Sequence, residues 1–193
     1  MERRELLKMI VAATGSAFIG SQVLAYDMRP NVTLSDTIFD KDDVTFLNQL
    51  GETIIPKTDT PGAKQANVGL MIAIIISDCY TTDEQKIFKQ GLLVIDNKAQ
   101  STYNNPFLLL SNVQQTELLT AKDAEANQYN KKFRQELKNK TVPVHYFTML
   151  KQLVLFTFFS SEIGATQVLR HVAIPGSYNG DLAYKKGDKA WAR

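Results

Sequence analysis

Two histidines, one cysteine and one carboxylate in an aromatic setting are the side chains here that could do chemistry, and their spacing keeps them apart. His145 and His171 are the only histidines. Neither has a cysteine nearby or a second ligand one helical turn away, the arrangement that turns imidazoles into a metal site. Both read as packed or surface residues. Cys79 is the only cysteine, so this chain alone forms no internal disulfide, thiolate zinc cage or iron–sulfur cluster. It follows the apolar run Ile74-Ile75-Ile76, and a free thiol behaves as a small hydrophobe; burial is expected, with pairing to another chain as the alternative. Glu162 stands among Phe158, Phe159 and Ile163. Such a setting tunes an acid, or else the carboxylate caps a helix or pairs with Arg170.

No glycine-rich nucleotide fingerprint, phosphate loop or serine-nucleophile elbow occurs, and there is no Cys-x-x-Cys-His for haem attachment. Catalytic, cofactor-binding and metal residues are therefore expected to be none. The basic stretch Lys131-Lys132-Phe133-Arg134, with Lys138 and Lys140, is interrupted by Glu136 and reads as a solvated helix face. Net charge is only +2, so the balance calls for no nucleic acid. Apolar residues at 44% and charged residues at 22% are enough for a folded core.

The elements begin with an address. Arg3 and Arg4, followed by Leu6, Leu7 and Lys8, precede an apolar stretch from Met9 to Ile19 that Thr14, Gly15 and Ser16 dilute. Charged start, short apolar middle and small-residue exit at Val23-Leu24-Ala25 make residues 1–25 a signal peptide. The arginine pair makes it similar to a twin-arginine signal, which implies periplasmic localisation by way of the twin-arginine translocase. Residues 26–34, with Arg29-Pro30, read as a linker.

Beyond the linker the period is helical. A helix opens at Asp40 and carries Val44, Leu47, Leu50 and Ile54 until Pro56 stops it. Asn67 is expected to cap a second helix, Val68 to about Asp78, whose seven large apolar residues point all round. Burial of all seven would stabilise the fold by roughly 10–20 kcal/mol before entropy is subtracted. The β-branched run also suits a strand, but no second strand-like segment exists to pair with it. Thr82-Asp83-Glu84-Gln85 and Ser111-Asn112-Val113-Gln114 read as capping boxes, the second opening a helix that reaches about Lys138. A fifth helix starts near Pro143. From about residue 174 the chain has no period of either kind. The expected fold is all-α, a single helical domain of about five helices over residues 35–193, ending in an irregular carboxy-terminal arm.

Two blocks carry a family likeness. The first is Glu52-Thr53-Ile54-Ile55-Pro56, Thr58-Asp59-Thr60-Pro61-Gly62-Ala63 and Val68-Gly69; the second is Phe158 to Gln167, then Pro175-Gly176-Ser177-Tyr178-Asn179-Gly180 and Lys189-Ala190-Trp191. In order and spacing they resemble the gluconate 2-dehydrogenase subunit 3 family. The resemblance implies a non-catalytic small subunit of a periplasmic FAD-dependent sugar or alcohol dehydrogenase. A large flavoprotein of the glucose–methanol–choline class would hold the FAD, with a cytochrome c subunit as a further member. The small subunit would assist maturation and export of the large one and sit at the inner membrane only through that complex. The arm and the end of the last helix offer anchors for such a partner in Phe159, Glu162, Tyr178, Tyr184 and Trp191. An arm that folds back on its own helices fits the same residues. Other classes the sequence admits are a stand-alone periplasmic enzyme and a structural protein without a flavoprotein.

Overall fold

Asp40 opens the first helix, α1 (Lys41–Ile54), with a reciprocal cap. Its Oδ1 accepts from the Asp43 N–H at 2.8 Å, and Asp43 Oδ2 accepts from the Asp40 N–H at 3.2 Å. In the computed structural model the described residues are 33–192 apart from Pro175, Tyr178, Asn179 and Tyr184. The signal segment expected at 1–25 and most of the linker lie outside them. The chain divides into Met1–Thr33 and Leu34–Arg193, and the second unit is the helical domain.

After α1 the Glu52 carboxylate holds the loop that follows. Oε1 accepts from Lys57 N at 2.8 Å and Oε2 from Lys64 N at 2.9 Å, and Gly62 packs on the same carboxylate where a side chain would collide with it. The loop delivers α2 (Val68–Cys79) onto α1. Asn67 does not cap it. With φ 50° and ψ 43° it is left-handed, whereas a capping side chain needs extended backbone. Asn48 of α1 does the work from across the crossing, its Oδ1 accepting from Gly69 N at 2.9 Å and its Nδ2 donating to Asn67 Oδ1 at 3.0 Å.

α3 (Thr82–Tyr103) is capped by Thr81 and Glu84, one residue earlier than the sequence reading placed the box. Hydrogen bonds from the Thr81 side chain and then its backbone hold the Glu84 carboxyl below its ordinary range. Gln85, freed from capping, donates to the carbonyls of Ile76, Ser77 and Tyr80 and so ties down the end of α2. Asn104, left-handed at φ 55°, ends α3, and a 3-10 turn at Phe107–Leu109 leads to α4 (Asn112–Lys132) with the expected Ser111–Gln114 box. The helix breaks at Phe133 and resumes only as α5 (Arg134–Lys138), none of whose residues is buried to hold it in line with α4.

The last long helix, α6 (Tyr146–Ser160), packs against α1, α2, α3 and α4. Phe147, Leu150, Val154 and Phe158 recur every three or four residues and are fully buried, meeting Leu47, Leu50, Ile72, Ile76, Phe88 and Ile95 from the other helices. A π-helical turn, Gly164–Val168, follows, and among the described residues no strand forms. The domain is all-α with five long helices, as the periodicity predicts.

α6 begins at Tyr146, three residues beyond the start expected near Pro143, because His145 supplies its cap: His145 Nδ1 accepts from Phe147 N at 3.2 Å. A ring nitrogen that accepts must be unprotonated. Burial chiefly pushes the imidazole below its ordinary value of 6.5; the Glu125 carboxylate, 3.9 Å from Nε2, opposes this and the Lys122 ammonium adds to it. The folded value is depressed, so the stabilisation is present above pH 6.5 and is lost as pH falls through the folded value. Urea midpoints measured between pH 8 and 5 should fall for the wild type and fall less for His145→Asn, which caps without titrating. Parallel curves for the two proteins would refute the linkage. His145→Ala should cost about 1 kcal/mol at pH 8, the usual worth of a cap.

Candidate partner-docking face

α2 and α6 are more apolar than one stripe of each can bury. On α2, Val68, Ile72 and Ile76 are buried, while Leu70, Ile74 and Ile75 are half-buried and Met71 is 50% exposed. Burial on most sides holds for six of the seven large apolar residues and fails at Met71; the three full burials contribute about 4.5–9 kcal/mol and the half-buried three a smaller share each. Cys79 is exposed as well. Four residues on from Ile76 the inward position belongs to Tyr80, which packs against the core, and the thiol is left outside it.

α6 leaves Leu155, Phe156 and Phe159 exposed, Phe156 at 62%. Phe156, Phe159 and Ser160 share one helical face, being three and four residues apart. Between the helices lies a groove of about 260 Å³ with Met71, Ile74 and Ile75 on one wall, Phe156 on the other, and Ser160 and Ser161 at its end. Exposed apolar residues gathered along one groove make this the candidate docking face.

Of the side chains singled out from sequence as partner anchors, Phe159 is on this face, its ring edge-on to Phe158 at 5.2 Å. Glu162 is exposed just beyond α6, and its carbonyl accepts from the Thr166 hydroxyl at 2.7 Å. Arg170 does not turn to Glu162. Its guanidinium lies 4.1 Å from the centre of the Trp191 ring, a cation–π stack. Main-chain bonds fasten the same pair, with Arg170 N donating to Ala190 O at 2.7 Å and Ala192 N to Arg170 O at 3.0 Å. Trp191 is thus fixed yet 48% exposed, and it does not close the core. Tyr178 and Tyr184, like Arg3, Arg4, Leu6, Leu7 and Lys8, lie outside the described residues. Met71 and Phe156 went unmarked in the sequence, although the surplus of apolar residues around α2 was the signal for them.

Polar chemistry is spent on structure. Lys122 pairs with Glu125 within α4 at 2.7 Å, while Lys151 with Asp123 at 2.8 Å and Asn130 with Thr148 at 3.0 Å form a seam joining α4 to α6. Burial raises the Tyr146 phenol, and the Lys122 ammonium opposes this. Among the described residues no group of His, Cys, Asp and Glu is set to hold a metal, and no helix is long and apolar enough to cross a membrane. Five of the six described α-helix starts are also engaged within the fold. Asp40, Thr81, Ser111 and His145 occupy four of them, and α2 is closed against α1 by Asn48.

Fold and face together define an all-α domain whose apolar seam is open to another surface. The family described as gluconate 2-dehydrogenase subunit 3 matches residues 41–176, and the chain belongs to that family. The match takes in the first block and most of the second, and stops before Trp191. By its name the family supplies one subunit of a multi-subunit dehydrogenase complex. No curated protein and no solved structure matches the chain.

Proposed function

We propose that this chain is the non-catalytic small subunit of a periplasmic FAD-dependent sugar or alcohol dehydrogenase, and that it assists maturation and twin-arginine export of the large flavoprotein. The open apolar groove between α2 and α6, on a chain of this family, is the observation that carries the reading. FAD would belong to the large subunit of the glucose–methanol–choline class, and a cytochrome c subunit would take its electrons. This chain contributes surface: Phe156, Met71 and Phe159 for the flavoprotein to cover, and Trp191 at the end of the arm. The arginine pair Arg3-Arg4 would carry the folded complex through the twin-arginine translocase.

The test is to ask whether a neighbouring reading frame encodes a large FAD-dependent flavoprotein and to co-express the chain with it. Alone, the chain should be colourless and inactive with sugar and an artificial acceptor. Together, it should co-purify with a yellow protein and raise the yield of exported activity. Turnover by the chain alone, or a flavoprotein that matures and is exported equally well without it, would overturn the reading.

A further inference from the structure

The turn after α3 points its leucines outward because its backbone is held from within. Phe107 is fully buried; its N–H donates to Asp96 Oδ1 at 2.8 Å, and its carbonyl accepts from Gln115 Nε2 at 2.9 Å. Gln115 is itself buried and accepts from Gln49 Nε2 at 2.9 Å and Thr53 Oγ1 at 3.2 Å. With Phe107 pinned inward, Leu108 and Leu109 face solvent, Leu109 at 73% exposure, and their exposure is a built feature and not a frayed end. Together with Phe46 and Leu93, the latter 63% exposed, they floor a groove of about 390 Å³ between α1 and α3.

Every charged residue lining that groove is acidic: Asp40, Asp42, Asp43 and Asp96. Three of these carboxylates accept main-chain hydrogen bonds, which keep them in place without cancelling their charge. Lys89 lies 3.7 Å from Asp43 and offsets one of them. An apolar floor under a negative rim selects its occupant. A second copy of this chain would bring the same aspartates to the seam, and like charges across an interface are costly. A bilayer surface rich in anionic lipid would be repelled. A small molecule buries most of its surface in its site, whereas this groove is open, with Leu93 and Leu109 on its floor 63% and 73% exposed.

We propose that this groove is a second docking site, separate from the α2–α6 face, and that its occupant is a basic amphipathic helix of another polypeptide. The helix lays its apolar side on Phe46, Leu93 and Leu109 and turns lysines or arginines to the aspartates. The probe is a fluorescein-labelled 18-residue helix with leucines on one face and lysines on the other, titrated with the full chain and read by anisotropy. Binding should weaken at least about tenfold in the Leu93→Ser, Leu109→Ser double variant and on raising NaCl from 0.05 to 0.5 M, and several-fold in Asp42→Asn. Met71→Ser, on the other face, should leave it unchanged. All three variants alter exposed side chains, and circular dichroism should show them folded. Equal binding of a peptide with glutamate in place of every lysine, or no loss in the leucine and aspartate variants, overturns the proposal. So does a dimer in sedimentation that the leucine variant abolishes, which would give the groove to a second copy.

Discussion

Gly69→Val is expected to leave the chain largely unable to hold its fold at moderate urea, the largest stability effect of any single substitution described. α1 and α2 cross at this residue. A Cβ there would lie 2.5 Å from Val44 O and 2.9 Å from Asn48 N, and both are backbone atoms of α1 that no rotamer change can move aside. To make room α2 must lift, and lifting it breaks the bond from Gly69 N to Asn48 Oδ1. Overpacking costs about 1–3 kcal/mol and a lost cap about 1 kcal/mol more. Against a total stability of about 5–15 kcal/mol this is a large fraction. Urea titration by circular dichroism should rank wild type, Asn48→Ala, Gly69→Ala and Gly69→Val in falling midpoint. A Gly69→Ala protein as stable as the wild type would show that the crossing has slack and remove the argument.

Phe156→Asp should do the opposite, sparing the fold and breaking the complex. The ring is 62% exposed in the free chain, and exposed substitutions away from caps and cores usually change stability by less than about 0.5 kcal/mol. Covered by a partner, the same position would bury a carboxylate against apolar surface. Aromatic anchors at interface centres are commonly worth 2 kcal/mol or more, about thirtyfold in affinity. Association with the flavoprotein, followed by co-purification yield and by titration of the separated subunits, should therefore collapse while the urea midpoint stays. Met71→Asp across the groove should behave alike, and the double variant should lose little more than either alone, because both deny the same patch. Undiminished association in the double variant would remove the α2–α6 groove from the interface.

What was legible in the sequence was local. The Asp40 and Ser111 caps, the stop before Pro56 and the break at Asn104 each depend on residues within one turn, and each forms where the pattern puts it. The misplacements have two sources, a contact from far along the chain and local roles that residue type does not announce. Asn67 looks like a cap, but Asn48 reaches the same N–H from 21 positions away in sequence. His145 looks like a spare imidazole until a helix start needs an acceptor. Cys79 follows an apolar run, yet the run's inward face continues through Tyr80. The candidate docking face is legible only as a surplus: periodicity shows that α2 has too many isoleucines for one neighbour, not which of them stay uncovered. Tertiary contact decides that, and α6 covers Ile72 and Ile76 while leaving Met71 bare.

The fastening of Trp191 to Arg170 has a consequence in polymer terms. The pair closes a loop of about 20 residues, and the length-dependent part of its ring-closure entropy is roughly 2.7 kcal/mol. Opposing it are two main-chain hydrogen bonds at about 1 kcal/mol each and a stacked guanidinium worth about 0.5–1 kcal/mol. The fastening is thus of the same order as the length-dependent cost of closing the loop, and Lys189 Nζ adds a bond to Gln167 O at 2.6 Å. A partner that touches only the closed form would add its binding energy to that side.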